Sequence, residues 1–250
     1  MTDATAQQPA AFLAELQLLR RETDRLLDTG GRLDDAALQA PSLCRGWTRA
    51  HVLSHITRNA RAMGNLVATV EGTPTPMYPS RAERDADIER GAGATRQTLL
   101  EELRTSAEEL GAAFAGMPPA ALAQSAQAGN DPAAMTRLTG ADLPAHRLRE
   151  VVWHHVDLDA GYTFADAPEA AVRRWFEEAV ADLRQSPDVP AMTLRTDERD
   201  VVAFGDGRPT VSGPRAGLLL WLVRDRPDQV AAPPRDQLPH LSPDHQEDNT

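Results

Sequence analysis

Five of the seven histidines lie in two short segments of the chain, and their spacing is typical of a metal site. They are His51 and His55 in the first segment and His146, His154 and His155 in the second. Glu150 precedes His154 by four residues, so on a helix the carboxylate and the imidazole share one face and can bind one ion. One histidine from a facing helix would complete a three-ligand site with an open position, as in catalytic zinc sites.

The third ligand depends on which side of its helix each histidine of the first segment occupies. At about 100° per residue, the apolar positions of that helix centre between Val52 and Ile56. His55 lies on the flank of this stripe, whereas His51 points nearly away from it. The pattern favours His55 as the ligand and His51 as a surface residue.

The second segment also allows an interpretation without a metal. Its apolar residues share one helical face with His155, and Glu150, His154 and Asp157 lie on the other face. Spacing alone favours a solvated i,i+4 pair of Glu150 and His154, which is common on helix surfaces, with His155 as a core histidine. The residues therefore leave both interpretations open.

The composition excludes several classes of chemistry. The 250 residues carry a formal net charge of −11, which argues against a protein that binds nucleic acid or an anionic membrane. All 26 basic residues are arginines, so P-loop NTPases, Schiff-base enzymes and pyridoxal-phosphate enzymes, which need a lysine amine, are excluded. The one cysteine, Cys44, gives no disulfide framework and no cysteine-based zinc cluster.

The distribution of apolar residues indicates a cytoplasmic protein. The first 17 residues lack a basic region followed by an apolar run, so they do not predict a signal peptide. No stretch approaches the roughly 18 apolar residues that a membrane span needs.

Helices must position the candidate ligands. Periodicity and helix-end signals predict helices over Ala10–Leu27 (ended by Gly30 and Gly31), Arg49–Val70 (with Thr48 as N-cap), Arg81–Phe114 (broken at residues 91–93), Pro144–Asp157 and Pro168–Gln185. Short β-prone runs follow at Met192–Arg195, Val201–Phe204 and Thr210–Ser212, and then an apolar helix over Ala216–Val223.

These elements predict a mainly α protein with a small α/β part. Residues 1–165 are expected to form a metal-binding helical bundle, and residues 166–230 a small α/β domain. Residues 231–250 are rich in Pro, Asp and Gln without periodicity, which predicts a disordered acidic tail.

Three stretches together resemble the mycothiol-dependent maleylpyruvate isomerases, which belong to a wider group with a DinB-like helical bundle. They are GWTRAHVLSH at Gly46–His55, TPMY at Thr75–Tyr78 and REVVWHHVDL at Arg149–Leu158. The first stretch is shared by many DinB-like thiol-dependent proteins, and the other two are more typical of the isomerases. The likeness spans most of the first 165 residues and implies a DinB-like four-helix bundle.

The resemblance implies that His55, Glu150 and His154 bind zinc. This assignment agrees with the choice of His55 over His51 and argues against a surface pair. His155 stays a core residue. Relatives carry an apolar residue at the position of Cys44, so the resemblance implies a small core side chain there and not a catalytic thiol. The resemblance also implies that mycothiol is the thiol cofactor.

Four further residues are candidates for the site. Arg84 matches an arginine of the family, and its guanidinium is suited to binding a substrate carboxylate. The alternative is that Arg84 is an exposed arginine on a helix surface with no role in the site. A second family arginine corresponds to Arg224 or Arg226, and the sequence does not decide between them. Asn59 lies one turn beyond His55 and is a candidate for the cofactor cavity.

The implied function is the isomerisation of maleylpyruvate, from gentisate breakdown, to fumarylpyruvate by reversible thiolate addition at the zinc site. One alternative is a DinB-like mycothiol S-transferase that conjugates the thiol to another electrophile. A second is a non-catalytic zinc-binding protein whose site is closed by His51 or His155. A hydrolase that uses zinc-bound water is disfavoured because no base stands at the required spacing.

Overall fold

The structure is a computed structural model that describes residues 4–129 and 135–231, with side chains from residue 10 onward. The chain divides into two compact units, residues 1–160 and residues 161–250. Apart from Ala231, the predicted tail lies outside the described residues.

The first unit is mainly helical. Its helices are α1 (Ala4–Arg32), α2 (Asp35–Gln39), α3 (Arg49–Val70), α4 (Arg81–Ala92), α5 (Arg96–Gly116) and α6 (Leu143–Asp157). A 3₁₀ turn at Pro119–Ala123 leads into a hairpin of strands β1 (Ser125–Ala128) and β2 (Thr136–Thr139), which pair antiparallel. This hairpin was not predicted, because two strands of four residues are too short to show a clear alternation of apolar and polar side chains.

A four-helix bundle forms the core of this unit. Helix α1 packs against α5 and α6, and α3 packs against the same two helices, so the four helices close a ring. Their apolar positions meet inside it, as Leu53, Met63 and Leu148 illustrate by being fully buried. The predicted mainly α fold with a helical bundle is confirmed.

Helix α1 continues through Gly30 and Gly31, so the prediction that these residues end the helix was wrong. Glycine is used here for close packing. A Cβ on Gly30 would lie 3.3 Å from a Leu100 methyl group and 3.6 Å from one of Leu53, so a larger residue would require the Leu100 side chain to shift by a few tenths of an ångström.

Helix α4 lies close against α3. A Cβ on Gly91 would overlap the hydroxyl of Ser54, and that hydroxyl donates a 2.8 Å hydrogen bond to the backbone oxygen of Ile88. This approach holds the C-terminal turns of α4 against the N-terminal part of α3.

The second unit has the predicted α/β composition. It contains α7 (Glu169–Gln185), β3 (Met192–Thr196), β4 (Val201–Phe204), β5 (Thr210–Gly213) and α8 (Arg215–Arg224). The strand order is β4-β3-β5, with β3 antiparallel to β4 and parallel to β5. Helix α8 packs on α7, β3 and β5, which explains why its apolar residues are buried on every side.

Across residues 4–129 and 135–231, no helix is both long enough and apolar enough to cross a membrane.

Candidate metal centre

Helices α3 and α6 bring His55, Glu150 and His154 together inside the bundle. One ligand atom from each side chain lies within 4.8 Å of the other two. Oε2 of Glu150 is 3.2 Å from Nε2 of His55 and 3.9 Å from Nε2 of His154. Ligand atoms around a tetrahedral zinc ion are about 3.3 Å apart, given zinc–ligand distances of about 2.0–2.2 Å. The three side chains are therefore close enough to bind one ion after small side-chain movements.

The surface interpretation of Glu150 and His154 is wrong. His55 and His154 are each 1% exposed and Glu150 is 9% exposed. The reason is that α6 lies between α1 and α3, so both of its faces are covered. An ionised carboxylate in this position needs polar partners, since burying a charge without them is costly.

The electrostatics keep the imidazole of His55 neutral and the carboxylate of Glu150 ionised. Burial, with the charges of His154 and Arg84, lowers the pKa of His55 to about 4, although the hydrogen bond to Glu150 opposes this. Burial alone raises the pKa of Glu150, but the hydrogen bond from His55 and the neighbouring histidines outweigh it, and that pKa lies well below its usual range. These are the protonation states that a metal ion requires of its ligands.

Asn59 connects Glu150 to a buried arginine. Its Nδ2 donates a 2.9 Å hydrogen bond to Oε2 of Glu150, and its Oδ1 accepts a 2.5 Å hydrogen bond from Arg147. Arg147 also donates to the backbone oxygen of Ile56 at 3.0 Å. Asn59 therefore supports a candidate ligand directly.

Sequence reasoning did not identify Arg147. Its position three residues before Glu150, on the same helical face, was the available signal. Arg147 is 2% exposed, and burial lowers its pKa to about 10 even though the charge of Glu150 opposes this. It supplies positive charge behind the carboxylate of Glu150.

Arg84 is buried in the first turn of α4, so the interpretation as an exposed helix arginine is wrong. Its Nη1 donates to Asp85 at 2.8 Å, and its Nη2 lies 3.4 Å from Nδ1 of His55. Nε of Arg84 is buried and has no hydrogen-bond partner among the described residues. A buried N–H group normally has a hydrogen-bond acceptor. An anionic ligand would provide one for this guanidinium.

Tyr78, in the TPMY stretch, lies beside this arginine. Cζ of Arg84 is 5.8 Å from the centre of the Tyr78 ring. Asn65 fixes the loop by donating to the backbone oxygens of Pro76 and Met77, each at 3.2 Å. Burial raises the pKa of Tyr78 to about 12, so its hydroxyl stays a hydrogen-bond donor.

The remaining histidines of the bundle have other partners. Nδ1 of His51 accepts a 3.2 Å hydrogen bond from the backbone N–H of Thr48, the N-cap of α3, and its Nε2 lies 3.3 Å from Glu89. Nε2 of His155 lies 2.8 Å from the hydroxyl of Thr29. Within the described part of the chain, the group of His55, Glu150 and His154 has no fourth His, Cys, Asp or Glu ligand.

Cys44 lies beside His154 and Asp157. Its Sγ is 3.2 Å from Oδ2 of Asp157 and 3.9 Å from Nδ1 of His154. The side chain is partly exposed, so the expectation of a core cysteine was wrong. These three residues form a second set of closely spaced groups that are able to bind a metal.

Arg224 and Arg226 belong to the second unit. Arg224 ends α8 and donates to the backbone oxygen of Val223, while Arg226 donates to Asp228 at 3.0 Å. A role for either arginine in the reaction remains a prediction.

Comparison with known proteins gives a family and two similar structures. The family described as the mycothiol maleylpyruvate isomerase N-terminal domain matches residues 19–159. A crystal structure of the mycothiol-dependent maleylpyruvate isomerase is 25% identical to the chain, with a TM-score of 0.82 over 93% of this chain and 96% of that one. A histidine-to-alanine mutant of that enzyme is 24% identical, with the same TM-score and coverage. None of the curated proteins compared with the chain matches it.

Proposed function

The chain belongs to the mycothiol maleylpyruvate isomerase N-terminal domain family, and from this we propose that it converts maleylpyruvate to fumarylpyruvate with mycothiol as the thiol. The observation that carries the proposal is the buried group of His55, Glu150 and His154, with ligand atoms within 4.8 Å and no fourth ligand of these types among the described residues. Such an incomplete ligand set is typical of a catalytic metal site.

We propose that His55, Glu150 and His154 hold zinc. Two imidazole nitrogens and one carboxylate oxygen are common zinc ligands, and burial keeps competing water away. His55, Glu150 and His154 would hold the ion, and it would supply the Lewis acidity that keeps a thiol deprotonated near neutral pH, where a free thiol with a pKa of about 8.5 is mostly protonated.

The isomerisation needs rotation about a carbon–carbon double bond. When a thiolate adds to the conjugated alkene, a C–S bond forms and the alkene electron pair moves to the ketone oxygen as an enolate. The former double bond then rotates, the carbonyl re-forms, and the C–S bond breaks to release the same thiolate and the trans product. Protein side chains have to bind and orient the substrate and stabilise the enolate.

Arg84 is the residue that we propose for this task. Its guanidinium is held from one side by Asp85, and its buried Nε has no partner in the described structure. A guanidinium binds a carboxylate through two parallel hydrogen bonds and remains charged at any pH of interest. Because the chain has no lysine, arginine is the only side chain that can supply permanent positive charge to the substrate.

The S-transferase alternative uses the same three metal ligands. It differs from the isomerase in its product, which is a stable conjugate of mycothiol with the electrophile. The non-catalytic alternative requires a closed site, and His51 and His155, the candidates for closing it, are instead bound to Thr48 and Thr29. The geometry therefore favours an enzyme over a structural zinc protein.

The deciding experiment incubates the zinc-loaded protein with mycothiol and maleylpyruvate and follows both possible products. Isomerisation predicts catalytic formation of fumarylpyruvate with no loss of mycothiol. An S-transferase would consume one mycothiol per substrate molecule, and mass spectrometry would detect the conjugate. Reactions without thiol and with metal-free protein are the controls, and full turnover in either of them would refute the proposed role of the thiol or of the metal.

A further inference from the structure

Asp157 is a buried carboxylate at a position where a helix does not favour one. It is fully buried in the last turn of α6. The C-terminal end of a helix carries partial negative charge, so an acidic residue there destabilises the helix. A contribution to helix stability therefore does not explain why this residue is an aspartate.

Two side chains converge on one oxygen of Asp157. Nδ1 of His154 lies 2.9 Å from Oδ2, and Sγ of Cys44 donates to the same oxygen at 3.2 Å. An ionised carboxylate only accepts hydrogen bonds, so the proton of a neutral His154 ring must be on Nδ1. The lone pair is then on Nε2, the nitrogen that lies 3.9 Å from Oε2 of Glu150.

The backbone around Asp157 also joins the two ligand-bearing helices. Its carbonyl oxygen accepts a 2.9 Å hydrogen bond from the N–H of Leu43, just before the turn that leads into α3. Nε of Arg49, the first residue of α3, donates to the carbonyl oxygen of Leu158 at 2.5 Å. The end of α6 and the start of α3 are thus fixed to each other beside the site.

We propose that Asp157 is the positioning residue of the metal centre. It holds His154 in the Nδ1–H tautomer and aims Nε2 at the point shared with His55 and Glu150. Histidine ligands commonly donate their second nitrogen to a carboxylate in this way, and loss of that carboxylate weakens metal binding by about 10- to 100-fold. This inference rests on the proposed metal site but not on the proposed reaction.

The test compares Asp157→Asn with Asp159→Asn, which makes the same change on an exposed residue two positions later. Zinc affinity is measured by competition with a chelator, and circular dichroism checks the fold. We expect Asp157→Asn to bind zinc about 10- to 100-fold more weakly and Asp159→Asn to bind it like the unmodified protein. Equal affinity in the two variants would overturn the proposal.

A second measurement does not depend on how well a variant folds. Nitrogen-15 NMR of the metal-free, unmodified protein reports the tautomer of each histidine, and we expect His154 to carry its proton on Nδ1. A proton on Nε2 would overturn the proposal.

Metal stoichiometry tests whether Asp157 is itself a ligand. We expect one zinc per chain, unchanged in Cys44→Ala. Two zinc ions per chain, falling to one in that variant, would mean that Cys44, His154 and Asp157 bind a second ion, and the positioning role would be wrong. Because none of these measurements uses substrate, failure of the isomerase proposal would leave their outcome unaffected.

Discussion

Nη2 of Arg84 lies 3.4 Å from Nδ1 of His55, on the side of the imidazole ring opposite the nitrogen that faces Glu150. A guanidinium only donates hydrogen bonds, so this contact favours a proton on Nε2 of His55. A metal ion on Nε2 requires the proton on Nδ1 instead, where it would face the N–H of Arg84. We therefore expect Arg84 to turn away from His55 when the metal binds, which leaves its guanidinium available to the substrate.

Replacing Arg84 with Gln should separate substrate binding from metal binding. We expect kcat/KM to fall by about 10- to 100-fold, the size expected for a lost hydrogen bond to a charged group, while the zinc content is retained. Steady-state kinetics and elemental analysis measure the two effects. Arg81→Gln, an exposed arginine of the same helix, is the matched control. Loss of zinc in Arg84→Gln would show that this arginine supports the metal site.

Replacing His55 with Ala should remove most of the bound zinc and nearly all turnover, because two ligands cannot hold the ion tightly. The helical circular dichroism should persist. His51→Ala changes the same residue type one turn earlier on α3, outside the ligand group, and should keep its zinc. It should lose about 1 kcal/mol of stability, since His51 accepts a hydrogen bond from the N-cap residue. Equal zinc loss in both variants would contradict the ligand assignment.

Replacing Cys44 with Ala tests whether the nucleophile is external. The thiol is only a weak hydrogen-bond donor to the carboxylate of Asp157, so its removal costs little, and activity should fall by no more than about tenfold. Initial rates at saturating mycothiol measure this. A thousandfold loss would instead assign the nucleophile to Cys44 and exclude the external thiol.

The stability of the metal-free protein should depend on pH through His55. Burial, with the charges of His154 and Arg84, lowers its pKa from the ordinary 6.5 to about 4, although Glu150 opposes this. The unfolded chain therefore binds more protons between these two values, and stability falls as the pH decreases through this window. The full effect is on the order of 3 kcal/mol. As the pKa of Glu150 is also lowered, its contribution is lost at still lower pH.

Urea unfolding of the metal-free protein at a series of pH values measures this effect. His55→Gln should show a shallower decrease in stability between neutral pH and about pH 5. His146, whose pKa is also lowered by burial, contributes in the same direction in both proteins and cancels in the comparison. Identical pH profiles for the two proteins would contradict the assignment to His55.

Local sequence patterns predicted the α3 and α6 elements closely. Helix α3 follows its Thr48 cap, and α6 differs from its predicted start by one residue. These elements have clear end signals and apolar positions that recur at helical spacing. The bundle was predictable for the same reason. The end of α1 was not, because Gly30 lies at a close contact between helices and does not end the helix.

The residues available for chemistry were evident from the amino-acid sequence: an all-arginine set of cations, a single thiol, and histidines and a glutamate at helical spacing. The choice of His55 over His51 followed from periodicity, since the direction of a side chain on a helix depends only on its position along that helix. The covering of both faces of α6, which places Glu150 and His154 inside the bundle, depends on the packing of the helices and was not evident from local spacing. The tertiary structure also placed Asn59, Arg147, Asp157 and Cys44 around them. Such contacts join residues about 90 to 110 positions apart, and they depend on how helices pack rather than on any local pattern.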